Sequence, residues 1–244
     1  MSLLQQDVRE LSPVEHDVRE LKELVATAGQ ILNKLDLVDY LGHVSARTAD
    51  GNIVVKPKHS PTIRGMDKLT AAQMIVVDMD GNLVEGENAP PAEIFIHTEI
   101  YKARPDVNAI AHTHQHSATI MGIIAEPFAP LLHLTTLFVG EHEPAMWPCP
   151  LLVTDSAFGA QLAQALGNNS FCHLQGHGIV SAGASVQEAA VGAVMLEDLA
   201  KANLAVLATG KTPRIITAEE RAELKKFSAP VHGRWAYLKE LLEP

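Results

Sequence analysis

Apolar residues recur at helical spacing from about Val14 to Leu37, at strand spacing after Gly51, and the two periods go on alternating toward the C-terminus. A chain patterned this way buries its apolar faces by stacking helices on a sheet, so the expected class is α/β. In the opening segment Val18, Leu21, Leu24, Val25, Ala28, Ile31, Leu32 and Leu35 form one stripe, which predicts a long helix. Ile53-Val54-Val55 and Met74-Ile75-Val76-Val77 predict strands parted by Pro57, Pro61 and Gly65, and Asp80-Gly81 predicts a hairpin turn. After Pro90-Pro91 a short helix is expected from Ala92 to Lys102, stopping near Arg104-Pro105-Asp106. Val107 to His112 reads as a buried strand and Ser117 to Ile124 as a helix. Asp155 caps a helix that Gly167 ends, and Phe171 to Leu174 is a further strand. Capping boxes at Ser185 to Glu188 and Thr217 to Glu220 open a helix to about Thr209 and a C-terminal helix. With no repeat or linker, one domain over residues 1–244 is expected, its core at about 14–210 and a helical tail at 217–244.

The 244 residues are 47% hydrophobic and 20% charged, enough to bury a sizeable core. The formal charge of -10, with Lys and Arg scattered, gives phosphates nothing to condense on. Nucleic acid and membrane partners are therefore not expected, and a small anionic substrate remains. The two cysteines build no disulfide framework, and no basic segment followed by an apolar core stands at the N-terminus, so the expected compartment is the cytoplasm.

His112-Thr113-His114 follows an apolar strand, and side chains two apart on a strand share a face, so both imidazoles can meet one cation. Among 12 histidines such a pair also arises by chance. A third nitrogen has a good source in Leu174-Gln175-Gly176-His177-Gly178, a histidine between glycines that let the backbone turn sharply. Three protein nitrogens with an open coordination position is a catalytic pattern, whereas a structural zinc site is closed by four ligands.

Pro90-Pro91-Ala92-Glu93, the helix ending at Tyr101-Lys102-Ala103-Arg104-Pro105-Asp106, the strand into His112-Thr113-His114 and the later Gly176-His177-Gly178 together resemble the class II aldolase/adducin family from Gly42 to about Gly210. The resemblance implies a three-layer α/β/α domain around a largely antiparallel sheet, assembled as a homotetramer with active sites between subunits. It implies His112, His114 and His177 as metal ligands and Glu93 as the acid/base. One divalent ion per subunit is expected, Zn²⁺ or Mn²⁺, with Co²⁺ and Fe²⁺ also suited to such ligands. Cytoskeletal scaffolds of the family lack these histidines, and their presence here favours an enzyme.

Sugar-phosphate members carry Gly-Asn-x-Ser and a Ser-Ser-Glu run that bind phosphate. Here the first reads Gly42-His43-Val44-Ser45-Ala46-Arg47 and the second Pro91-Ala92-Glu93, with both hydroxyls gone. Gly-His-x-Ser-x-Arg is similar instead to the branch that decarboxylates hydroxylated aromatic or pyridine dicarboxylates such as 3,4-dihydroxyphthalate. The resemblance then places His43, Ser45, Arg47, Ser60, Thr62, Arg64 and His133 about the substrate, with Arg64 suited to pair with a retained carboxylate. An aldolase or epimerase acting on a small phosphosugar or hydroxy-carbonyl compound is the alternative. His116 is expected to orient a ligand imidazole or to be structural, His173 to be a satisfied buried histidine, and His97 to lie on a helix surface or pack. The proton-donating tyrosine that aldolases bring in a Pro-Tyr context corresponds to Pro150-Leu151, so that role is vacant. His232-Gly233-Arg234-Trp235 falls where family tails can cover the site, a packed tail helix being the simpler account.

Overall fold

The computed structural model describes residues 18–139, 144–224, 226 and 231–243. In chain order the elements are α1 (Val18–Lys34), β1 (His43–Arg47), β2 (Ile53–Val55), β3 (Ile75–Val77), β4 (Leu83–Glu85), α2 (Ile94–Ala103), β5 (Ala109–Thr113) and α3 (His116–Ile124). There follow α4 (His133–Val139), β6 (Ala145–Trp147), α5 (Ser156–Leu166), β7 (Phe171–Leu174), β8 (Gly178–Gly183), α6 (Val186–Leu207), α7 (Ala218–Leu224) and α8 (Val231–Glu240). The strands make one eight-stranded sheet in the order β4-β3-β2-β1-β5-β8-β7-β6. Every pairing is antiparallel except β6 with β7.

Strand alternation divides the core in two. Ala46, Val54, Val76, Ala109, Ala111 and Ile179 face one side, where α1, α3, α6 and α8 cover them. Val55, Ile75, Val77, Ile110, Val180 and Ala182 face the other side, under α2 and α5. The result is the expected α/β/α sandwich.

The expected stripe is the buried face of α1, with Leu21, Val25, Ala28, Ile31 and Leu32 inside. Val14, where that helix was expected to begin, lies outside the described residues. The Asp80-Gly81 turn joins β3 to β4, Gly81 taking the positive φ of 83° that its missing Cβ allows. Asp155 and Ser185 accept from the Phe158 and Glu188 N–H groups as helix caps, and Thr217 and Glu220 complete a capping box. The tail differs from expectation: the described part of 217–244 forms two helices. Trp235 and Leu238 of α8 are buried in the α1/α6 layer, on the face of the sheet opposite α2, so they are packing residues rather than a cover for the site.

Candidate metal centre

Glu93, His112, His114 and His177 come together, each offering one ligand atom within 4.8 Å of the others. Three chain segments deliver them. His112 lies on β5 and His114 one residue past its end, both on the α2 side, while Thr113 and Gln115 turn to the α6 side. That alternation is pinned, because Thr113 donates to Gln115 Oε1 and Gln115 Nε2 donates to the Ala193 carbonyl of α6. Glu197 of α6 accepts from the Ser117 and Ala118 N–H groups, capping α3 directly behind the histidine pair. His177 sits in the turn between β7 and β8. Gly176 takes a φ of +67° there, and a Cβ on Gly178 would run into the Thr113 carbonyl, which is why glycines flank it. Glu93 stands at the N-terminus of α2, its Oε1 accepting from Val153 N–H at 2.9 Å.

The donor set fits a divalent cation. His112, with 0% exposure, has Nδ1 2.9 Å from the Ile179 carbonyl, so Nδ1 holds the proton and Nε2 keeps a free lone pair. His112 Nε2 and His114 Nε2 are 3.0 Å apart, near the about 3.3 Å separation of two nitrogens on one tetrahedral zinc. Glu93 Oε2 lies 3.5 Å from His177 Nε2 and 3.8 Å from His112 Nε2. Burial, followed by the neighbouring rings, lowers the pKa of both His112 and His114, so both are neutral donors at neutral pH. Burial pushes the Glu93 carboxyl up, but the His177 ring, the Val153 N–H and His114 together outweigh it and hold the pKa below its usual value. Glu93 is thus a carboxylate at neutral pH, a direction that could not be read from sequence.

Of the expected substrate contacts, the structure brings His43 to this centre. His43 pairs with His112 across β1 and β5, and their rings lie 5.0 Å apart. Ser45 and Arg47 are corrections. The Ser45 hydroxyl is fully buried between His97 and Tyr101, and the Arg47 guanidinium donates to the carbonyls of Tyr101, Arg104 and Val107. Both fasten β1 to α2 and its end. Ser60, Thr62 and Arg64 form a turn closed on itself: the two hydroxyls bond at 3.0 Å and Arg64 Nε donates to the Pro61 carbonyl. His133 is exposed at the first residue of α4 and His116 is exposed at the start of α3, and neither joins the cluster.

One residue escaped the sequence reading. Lys56, 4% exposed, donates to the Tyr40 and Gly42 carbonyls rather than to a carboxylate, and burial lowers its pKa to about 8. Its charge is close enough to His43 and His114 to lower their pKa values. The available signal was a lysine ending the apolar run Ile53-Val54-Val55. His97, expected on a helix surface or packed, is packed: it is wholly buried in α2 and bonded to both His43 and Ser45.

His97 and His173 give the fold a pH limit. Burial lowers their pKa values to about 3 and about 4, against 6.5 in the unfolded chain. Below pH 6.5 the unfolded chain takes up protons that the folded chain refuses, so stability is full above that value and falls as pH drops toward 4. Thermal unfolding of metal-stripped protein should show Tm falling through this range. A level Tm between about pH 7 and about pH 5 would contradict it.

The sequence profile of the Class II Aldolase and Adducin N-terminal domain matches residues 23–204, and the chain belongs to that family. A 3,4-dihydroxyphthalate decarboxylase of Arthrobacter keyseri is 28% identical over 239 residues, covering 94% of this chain and 95% of its own. An L-fuculose phosphate aldolase of Escherichia coli O6:H1 is 31% identical over 192 residues, covering 76% and 83%. In structure, an aldolase II superfamily protein of Pseudomonas syringae superposes with a TM-score of 0.77 at 24% identity, over 96% of this chain and 95% of its own. Among the described residues no helix is long and apolar enough to cross a membrane.

Proposed function

We propose that the protein is a metal-dependent decarboxylase of a hydroxylated aromatic or pyridine dicarboxylate of the 3,4-dihydroxyphthalate type. The observation that carries the reading is the four-donor centre of His112, His114, His177 and Glu93 beside the buried ammonium of Lys56. Lys56 donates to backbone carbonyls, the Asp39 carboxylate is close enough to favour its charge, and an anionic substrate would offset the remaining cost of its burial. The likeness to 3,4-dihydroxyphthalate decarboxylases and the absence of the paired serines before Glu93 support the same choice.

The three histidines would hold the ion, which when bound supplies a Lewis acid for the ring oxygen and the adjacent carboxylate. Glu93, ionised at the start, takes the ring hydroxyl's proton and delivers it to the carbon bearing the carboxylate. The carbon–carbon bond then breaks, carbon dioxide leaves, and the bonding pair restores the aromatic ring. The ring oxygen regains a proton from water. Lys56 would hold the retained carboxylate, the part first assigned to Arg64. Zinc and manganese both suit this donor set. The proposal extends to a cytoplasmic homotetramer of one-domain subunits, in which exposed apolar side chains such as Leu151 and Leu152 would find cover.

The test is carbon dioxide release from 3,4-dihydroxyphthalate and related ortho-hydroxy dicarboxylates by metal-loaded protein, with a chelated control. Release that the chelator abolishes is the expected result. No release, together with cleavage of L-fuculose phosphate, would transfer the centre to aldolase chemistry, the reading that the Escherichia coli relative favours.

A further inference from the structure

Behind the metal centre four side chains form an unbroken hydrogen-bonded row. Tyr101 Oη lies 2.7 Å from Ser45 Oγ, Ser45 Oγ 2.6 Å from His97 Nδ1, and His97 Nε2 2.6 Å from His43 Nδ1. The row follows from the two elements that pack here: β1 presents His43 and Ser45 on one face, and α2 presents His97 and Tyr101 one turn apart.

Counting protons fixes the direction of these bonds. Two hydroxyls and two neutral imidazoles bring one proton each, and three bonds use three of them. Both ring nitrogens of His97 are engaged within the row, so the fourth proton points out from Tyr101, from Ser45 or from His43 Nε2. Tyr101 is 1% exposed and Ser45 not at all, and neither hydroxyl has another acceptor among the described residues. A fourth proton on either hydroxyl would be an orphaned buried donor. His43 Nε2 is different: it has no partner among the described residues, yet it is not sealed in as both nitrogens of His173 are. The surplus proton therefore belongs on His43 Nε2.

We propose that Tyr101, Ser45 and His97 are positioning residues that hold His43 in its Nε2–H tautomer, making it a fixed hydrogen-bond donor to a substrate oxyanion and excluding it as a further metal ligand. The proposal rests on the metal-centre reading above. Its physical sense is that an imidazole whose ring lies 5.0 Å from that of His112 would, with a bare Nε2, compete for the cation and close the coordination position that substrate needs. With Nε2 protonated, the same ring recognises negative oxygen instead.

Neutron diffraction from deuterium-exchanged crystals of the zinc-loaded protein tests this without any assay of turnover, so failure of the decarboxylase reading leaves the result interpretable. Deuterium is expected on Nε2 of both His43 and His97 and absent from their Nδ1 atoms. Deuterium on His43 Nδ1 would overturn the proposal. In solution, Ser45→Ala should lower kcat by about tenfold, as loss of an orienting partner does, with zinc per chain unchanged, and Ser45→Thr should restore it. A folded Ser45→Ala protein with wild-type kcat, or one that Ser45→Thr fails to rescue, would leave the row a packing feature only.

Discussion

The His112→Ala protein should purify with less than about a tenth of the metal held by wild type and should lose at least about 100-fold in carbon dioxide release. Residues that merely orient a metal ligand are worth about 10- to 100-fold, and His112 is placed to be a ligand itself. Its Nδ1 is committed to the Ile179 carbonyl, so Nε2 alone faces His114, His177 and Glu93. Alanine removes that nitrogen and leaves two imidazoles and a carboxylate, too few for a three-nitrogen site. Elemental analysis after gel filtration reads the metal, and circular dichroism confirms that the central strand still folds. The control is His116→Ala, in the next turn of chain but exposed and outside the cluster, which should keep wild-type metal and activity. Equal metal in the His112→Ala and wild-type proteins would refute the metal-centre assignment.

Much of the fold was legible because its signals are local. The α1 stripe, the Asp155 and Ser185 caps and the β7 strand each depend on a few neighbouring residues and appear where expected, though α1 ends at Lys34 rather than Leu37. The strands that escaped are β1, β6 and β8, and each for a physical reason. His43–Arg47 and Gly178–Gly183 mix small, polar and charged residues because one face of each lines the buried polar centre or meets a helix closely, which erases the apolar alternation of a strand. Ala145–Trp147 is three residues long and pairs in parallel with β7, so its signal is tertiary.

The same distinction holds for the site. His112, His114, His177 and Glu93 were visible as residue types whose spacing matches strand and turn geometry, reinforced by a family resemblance. Ser45, Arg47 and Lys56 were misjudged or missed because a polar side chain beside a strand reads alike whether it faces a ligand or the inner side of a helix. Only the packing of α2 against β1 shows that Arg47 Nε and Nη2 donate to the backbone carbonyls of Tyr101, Arg104 and Val107. Lys56 reads in sequence as any lysine at a strand end, and its 4% exposure, its carbonyl partners and its effect on His43 and His114 place a cation near the histidines.

Glu93→Gln should separate chemistry from metal binding. Glutamine keeps the length and shape of the side chain, and its amide oxygen can go on accepting from Val153 N–H, so α2 should start where it does now. What glutamine cannot do is take a proton and return it. If Glu93 carries the proton from ring oxygen to ring carbon, kcat should fall by about 10²- to 10⁴-fold, the usual worth of a positioned acid/base group. Metal should be retained far better than in His112→Ala, since three imidazoles remain. The lowered pKa of Glu93 sharpens the distinction. A group that enters the cycle ionised receives its proton from substrate, and since glutamine can neither take nor return one, the variant should fail at every pH measured. Single-turnover measurements across pH, with metal content followed in the same samples, check this. A Glu93→Gln enzyme within about tenfold of wild type would remove Glu93 from the proton path and leave it a neighbour of the metal.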